Sequence, residues 1–249
     1  PHLDLVAPDI YVSDARGYEL ECAAYRRPDN PLFIPESGYG ANAWNMFRAL
    51  GQYDAIGYAF FGIEAIVAPD GSLLPYAADL VDSFRAAAAA IPLLLRYQGT
   101  GRVHAVVQDE HMDSQHLPLE GWLALAVFGH GPQTWTPKDW RHPEPPAAPS
   151  APAPRGRGLV FQAGPHEFYC VGGAYRLVLR QNVPPEQAID LSLAKDYLLL
   201  RQAHYVSVDE GHFDEDGSYV VDRRRNGDEV DGGVWVEPDT GVVRVITCE

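Results

Sequence analysis

The chain has 249 residues, enough for one large domain or two ordinary ones, and its 46% hydrophobic and 21% charged composition is that of a folded globular protein. Thirty-four acids against 19 bases give a formal net charge of −15, which argues against nucleic acid or an anionic membrane as partner and is compatible with a neutral substrate such as a sugar. Three cysteines (Cys22, Cys170, Cys248) are too few and too far apart for a disulfide scaffold, one bridge remaining open, and they lack metal-type spacing.

The chain opens on a short apolar run at 5–11, Leu-Val-Ala-Pro-Asp-Ile-Tyr, which reads as a strand. A helix is expected over about 14–27, with Ser13 or Asp14 as its N-cap. A second strand, Asn30-Pro-Leu-Phe-Ile-Pro-Glu36, ends abruptly on a carboxylate. It precedes a helix at about 41–50, where Trp44, Phe47 and Arg48 recur at helical spacing and Gly51 is read as the stop. A third run, 55–64, ends Phe60-Phe61-Gly62-Ile63-Glu64 and leads to a helix at about 76–91, with Tyr76, Leu80, Phe84 and Ala87 or Ala88 on its apolar face. Apolar strands alternating with helices predict parallel strands covered by helices. The apolar stretch at 84–95 is too short to span a bilayer and carries Arg85 and Pro92.

Beyond Gly99 short β-type runs replace the helices: 102–108, 121–128, 159–161, 166–169, 175–179, 205–208, 219–222, 233–237 and 242–247. Asp216-Gly217, Asn226-Gly227 (read as a type I′ turn) and Asp239-Thr240-Gly241 separate several of them, a pattern that suggests a β-sandwich. The proline-rich stretch 142–158 reads as an extended loop inserted in this β-rich part, and 184–200 is ambiguous between helix and strand. The expected organisation is an α/β part over 1–98 and a β-sandwich-like part over 99–249.

A buried strand that delivers an acid at its C-terminal end is how a (β/α)8 barrel places a catalytic group. Glycoside hydrolysis needs two carboxyl groups about the anomeric centre, ~5–5.5 Å apart in retaining enzymes, one attacking carbon and the other handling the proton. Pro31 and Pro35 stiffen the strand that carries Glu36. The alternative reading of Glu36 is an acid that stabilises the dipole of the following helix.

The segment 30–36 resembles the seventh-strand segment of glycoside hydrolase family 35, the β-galactosidases, in its bacterial branch. Ala7-Pro8-Asp9-Ile10-Tyr11 is similar to that family's sixth-strand end and residues 55–64 to its eighth. The segment Arg223-Arg224-Arg225-Asn226-Gly227-Asp228-Glu229 is similar to one in the β-rich domain that follows the barrel in that branch. The resemblance implies the last three units of a TIM barrel followed by a β-sandwich-like domain, with Glu36 at the nucleophile position. It implies a retaining, β-galactosidase-like hydrolase acting on a β-galactoside or related oligosaccharide without a cofactor or metal. The family's acid/base glutamate ends the fourth strand and has no counterpart here, so the chain reads as a C-terminal portion whose partner is the N-terminal part of the same barrel. A periplasmic or secreted location is the corresponding expectation.

Around Glu36, Tyr11 is a candidate to hydrogen-bond the nucleophile or the sugar, packing of its ring being the alternative. Phe60 and Phe61 alternate across their strand, so one should face the barrel mouth and stack on a sugar while the other packs. Glu64 is a candidate partner of a sugar hydroxyl, against an ordinary loop salt bridge, and Tyr39 of the mouth, against plain exposure. Asp9 is read as structural. His104, His111 and His116 among Asp109, Glu110 and Asp113 lack a zinc spacing and read as a solvated loop. Asp214-Glu215-Asp216-Gly217 lacks the rest of a calcium loop and reads as a hairpin turn, and Arg223–Arg225 as ion-paired. A non-catalytic carbohydrate-binding or structural β-module carrying a barrel remnant is the competing reading of the whole.

Overall fold

The computed structural model describes residues 3–38, 40, 42–109, 112–129, 155–182, 203–230 and 232–248. Tyr39, Glu110, His111, most of the proline-rich stretch and the ambiguous segment 184–200 lie outside the described residues. The described chain is mostly β-sheet, with four α-helices.

The first part alternates short strands and helices: β1 (Asp9–Ile10), α1 (Ala15–Tyr25), β2 (Phe33–Ile34), β3 (Glu36–Ser37), α2 (Asn42–Gln52) and β4 (Gly57–Tyr58). Its pairing is parallel, with Asp9 opposite Glu36, Ile10 opposite Ser37, Phe33 opposite Gly57 and Ile34 opposite Tyr58. The carboxylate of Asp14 caps α1, accepting from Gly17 N at 2.8 Å. Gly51 is not the stop of α2, which runs through it to Gln52. The chain turns at Asp54 instead, in the left-handed region at φ 53°, where Arg26 and the Gly99 amide hold its side chain.

The helix expected over about 76–91 is found at Ala78–Ala89, and a further short helix follows it. A 3-10 turn (Pro75–Ala77) leads into α3 (Ala78–Ala89), and α4 (Ile91–Tyr97) restarts with Pro92 in its first turn, where a missing amide costs nothing.

The rest is antiparallel: β5 (Val103–Val107), β6 (Ser114–Leu117), β7 (Trp122–Phe128), β8 (Arg157–Gly164), β9 (Glu167–Gly173), β10 (Tyr175–Gln181), β11 (Tyr205–Phe213), β12 (Tyr219–Arg224), β13 (Val234–Val236) and β14 (Val242–Thr247). They form a four-stranded sheet in the order β13-β10-β7-β6 and a six-stranded sheet in the order β12-β11-β14-β9-β8-β5. Two local readings change. His104 lies in β5 and His116 in β6, opposite Leu125 of β7, and not in a solvated loop; backbone pairing with β7 forms β6, and the Gln115 side chain ties it to Val107 N and Ala105 O of β5. Asn226-Gly227 is not a type I′ turn. Asn226 caps a 3-10 turn (Gly227–Glu229) in a reciprocal capping box with Glu229. Asp216-Gly217 does turn the β11–β12 hairpin, with the Asp214 carboxylate accepting from the amides of Asp216 and Ser218.

Two apolar cores explain the near-continuous hydrophobic runs. Val160, Phe168, Cys170, Val243 and Val245 face the four-stranded sheet, meeting Ala124, Ala126, Leu177 and Leu179. The alternate residues Leu159, Phe161, Tyr169, Val171 and Val242 face the other way, onto Phe47, Leu50, Leu80 and Leu93 of the helices. Strands β5, β8, β9 and β14 of the six-stranded sheet are therefore buried on both faces, while its edge strand β12 is exposed. Arg157 pins the junction: its guanidinium, 1% exposed as a residue, donates to Ser83 Oγ at 2.9 Å and reaches Asp79 Oδ1 at 3.0 Å.

Candidate active site at adjoining strand ends

The parallel register decides which side chains meet. Asp9 and Glu36 are lateral neighbours, and side chains at i and i+2 share a face, so Asp9, Tyr11 and Glu36 lie on the same side of the strands. The Tyr11 hydroxyl donates to Glu36 Oε1. Tyr11 is about half exposed (53%) and Glu36 is partly buried, so the pair stands at the surface of the described chain, with Tyr11 just past β1 and Glu36 at the start of β3.

Beneath it lies a buried polar chain. Tyr18 donates to the Tyr58 hydroxyl at 3.2 Å, Tyr58 to Ser37 Oγ at 2.9 Å, and Ser37 to the Ile10 carbonyl at 2.8 Å. Burial pushes the Tyr58 phenol up to about 12 and Tyr18 well above its ordinary value, so both remain hydroxyl donors at neutral pH. These bonds tie the first and second strand ends to Tyr58 on the third, in line with Phe61 N donating to the Ser37 carbonyl at 3.0 Å.

A second string runs from the first strand end into the β-rich part. Asn45 on α2 donates to the Ser13 carbonyl at 3.1 Å and to Asn42 Oδ1 at 3.0 Å, and accepts from Arg48 Nε at 3.3 Å. Buried Arg48 also pairs with Glu19 on α1 at 2.8 Å and with Asp109 after β5. A cleft of about 400 Å³ opens along this string, with Trp44 under the Arg155 guanidinium at 4.9 Å.

Of the phenylalanine pair, Phe60 lies in the core (5% exposed), with Tyr58 at 5.0 Å and Phe84 at 5.3 Å between ring centroids. Phe61 is the exposed one, at 61%. Glu64 is exposed in a 3-10 turn (Ile63–Ile66) that begins after Gly62 in the left-handed region. Tyr39 is outside the described residues. Sequence reasoning passed over Ser37, Asn42, Asn45 and Tyr58. The usable signal was their polarity inside segments otherwise buried, since a buried polar side chain must find a partner. No group of His, Cys, Asp or Glu among the described residues is placed to hold a metal ion, and no helix among them is long and apolar enough to cross a membrane. Arg223, Arg224 and Arg225 are ion-paired with Glu210 and Glu229, Asp209, and Glu210 respectively.

Residues 80–237 match the family described as Domain of unknown function (DUF5597), and the chain belongs to that family. The match begins in α3 and extends through β13, so it takes in the four-stranded sheet, the six-stranded sheet except β14, and most of the helix that Arg157 binds. No curated protein matches the sequence.

Proposed function

We propose that the first part of this chain is the end of a (β/α)8 barrel and that Glu36 is the nucleophile of a retaining, β-galactosidase-like glycoside hydrolase. The observation that carries the reading is the Tyr11–Glu36 hydrogen bond at the ends of adjoining parallel strands. It is supported by the likeness of the three strand-end segments to glycoside hydrolase family 35, in the same order. Tyr11 engages Oε1 and orients the carboxylate, leaving Oε2 to attack the anomeric carbon. The glycosyl-enzyme ester is then resolved by water, activated by a second carboxylate that also protonates the leaving group. That acid/base glutamate comes from barrel strands outside these residues.

The same reading accounts for the large apolar side chains exposed in the first part, among them Leu3, Val6, Leu20, Ile56 and Leu73, as surface that the remaining barrel units cover. Phe61 then offers its ring to the sugar and Glu64 a carboxylate to its hydroxyls. The substrate is a terminal β-galactoside or related oligosaccharide, and a periplasmic or secreted location fits such a substrate.

A 2-deoxy-2-fluorogalactosyl fluoride, incubated with the protein together with its N-terminal barrel strands, should leave a stable ester on Glu36, read by peptide mass spectrometry. A label on another residue, or undiminished hydrolysis by Glu36→Gln, sinks the proposal.

A further inference from the structure

We infer a second, separate ligand site: a polar groove at one end of the two-sheet part that binds a neutral oligosaccharide chain. The groove is a cleft of about 600 Å³ between the turn before β5, the β6–β7 turn, the β8–β9 turn and the end of β10. A second cleft of about 310 Å³ continues it past Gly101 and Pro118 towards Gln52 at the end of α2. Together they make an extended trough suited to several linked sugar rings.

Its walls are cross-braced. Gln162, 8% exposed, spends both amide atoms on the backbone of Glu120, accepting from its amide and donating to its carbonyl at 2.8 Å each. Trp122 Nε1 donates to the Pro165 carbonyl at 2.8 Å, joining the β6–β7 turn to the β8–β9 turn. Asn182 N donates to the Gly121 carbonyl at 3.1 Å, joining the end of β10. The His166 ring is fixed by Nδ1 against Thr247 Oγ1 at 3.1 Å and edge-on to Trp122 at 5.9 Å. A cleft held in shape before binding loses little entropy when a ligand enters.

Functional groups remain over once the bracing is made. Arg102 uses Nη1 on the Ala163 carbonyl at 3.1 Å, and its other guanidinium nitrogens carry no bond among the described residues. The same holds for the Glu120 carboxylate, His166 Nε2 and the side-chain amides of Gln181 and Asn182. This set mixes donors and acceptors, as hydroxyl groups that both donate and accept require. Arg102 is offset by Glu120, so the groove has no strong charge preference, and the net charge of −15 disfavours polyanions. Among the described residues the lining is more polar than apolar, unlike the apolar pockets that anchor a peptide. The site does not depend on Glu36.

Titration of the 249-residue chain with β-1,4-galactotetraose, followed by isothermal calorimetry, should show saturable binding, at least about tenfold tighter than free galactose, which fills only part of the trough. The double variant Arg102→Ala/Asn182→Ala should weaken it about tenfold or more while the melting temperature stays within a degree or two, and Arg85→Ala, exposed on α3 away from the groove, should leave it unchanged. Three results overturn the inference: no saturable binding of the tetrasaccharide, binding that survives the double variant, or preference for tetragalacturonate over the neutral chain. Because the readout is binding, a failure here and a failure of the Glu36 reading are distinguishable.

Discussion

Tyr11 and Glu36 are 25 residues apart in sequence and joined by one hydrogen bond across the ends of two parallel strands. Neither side chain is needed by a core, and Tyr11→Phe removes that bond while keeping the ring. A hydrogen bond to a charged group contributes about 1.5–3 kcal/mol. With the barrel complete, Tyr11→Phe should therefore lower kcat/KM for a β-galactoside roughly 10- to 150-fold while the melting temperature stays within a degree or two. An unchanged kcat/KM would remove Tyr11 from the machinery.

Gly51 is explained by what it touches. A Cβ there would stand 2.7 Å from Leu159 Cδ2 and 2.9 Å from the Ala105 amide nitrogen, so only glycine lets α2 lie this close to β5 and β8. If Gly51 were merely an interior residue of α2 with open space around it, Gly51→Ala would stabilise by up to about 1 kcal/mol through helix propensity. The close approach predicts the opposite sign, a loss of about 1–3 kcal/mol from overpacking, measured by urea denaturation.

Arg157 makes a similar argument in charge. Burial pushes its guanidinium down from the ordinary value, and Asp79 and Asp82 act against that. Its bonds to Ser83 Oγ and to the carbonyls of Arg155 and Asp79 hold α3 on β8. Arg157→Met keeps much of the volume and leaves those acceptors unmet, so it should cost about 3 kcal/mol. Arg157→Lys should recover only part, because an ammonium cannot span the same acceptors. A methionine variant as stable as the parent would mean that packing alone holds the junction.

How much of this was legible in the sequence follows the range of each interaction. The Asp14 cap, the Asp216-Gly217 hairpin and the strands at β5, β7 and β14 depend on neighbours in sequence, and their residues announce them. The end of α2 did not. Asp54 takes the turn after α2 because Arg26 and the Gly99 amide hold it, and both are remote in sequence. The strand at His116 rests on pairing with β7, and the Gln115 side chain ties it across to β5. Around the site, Glu36 and Tyr11 stood out as polar ends of apolar runs. The Tyr18–Tyr58–Ser37 chain beneath them is built from three segments, and no local pattern assembles it.

The arginines at the β12 end tie stability to pH. Hydrogen bonding from Arg223 is the main cause that holds the Glu229 carboxyl below its ordinary value. For Asp209 and Glu210 burial works to raise the carboxyl, and hydrogen bonds from Arg224 and Ser207, and from Arg223 and Arg225, overcome it, leaving both lowered. A carboxyl lowered in the folded state contributes stability that is present above its unfolded pKa and is lost as pH falls through the folded one. Arg223→Ala should thus be less stable than the parent near neutral pH, and the gap should close as the pH approaches about 3. Urea midpoints for both proteins across that range are the test. A gap that stays constant to acid would assign the effect to packing of the arginine stem over the sheet and not to its charge.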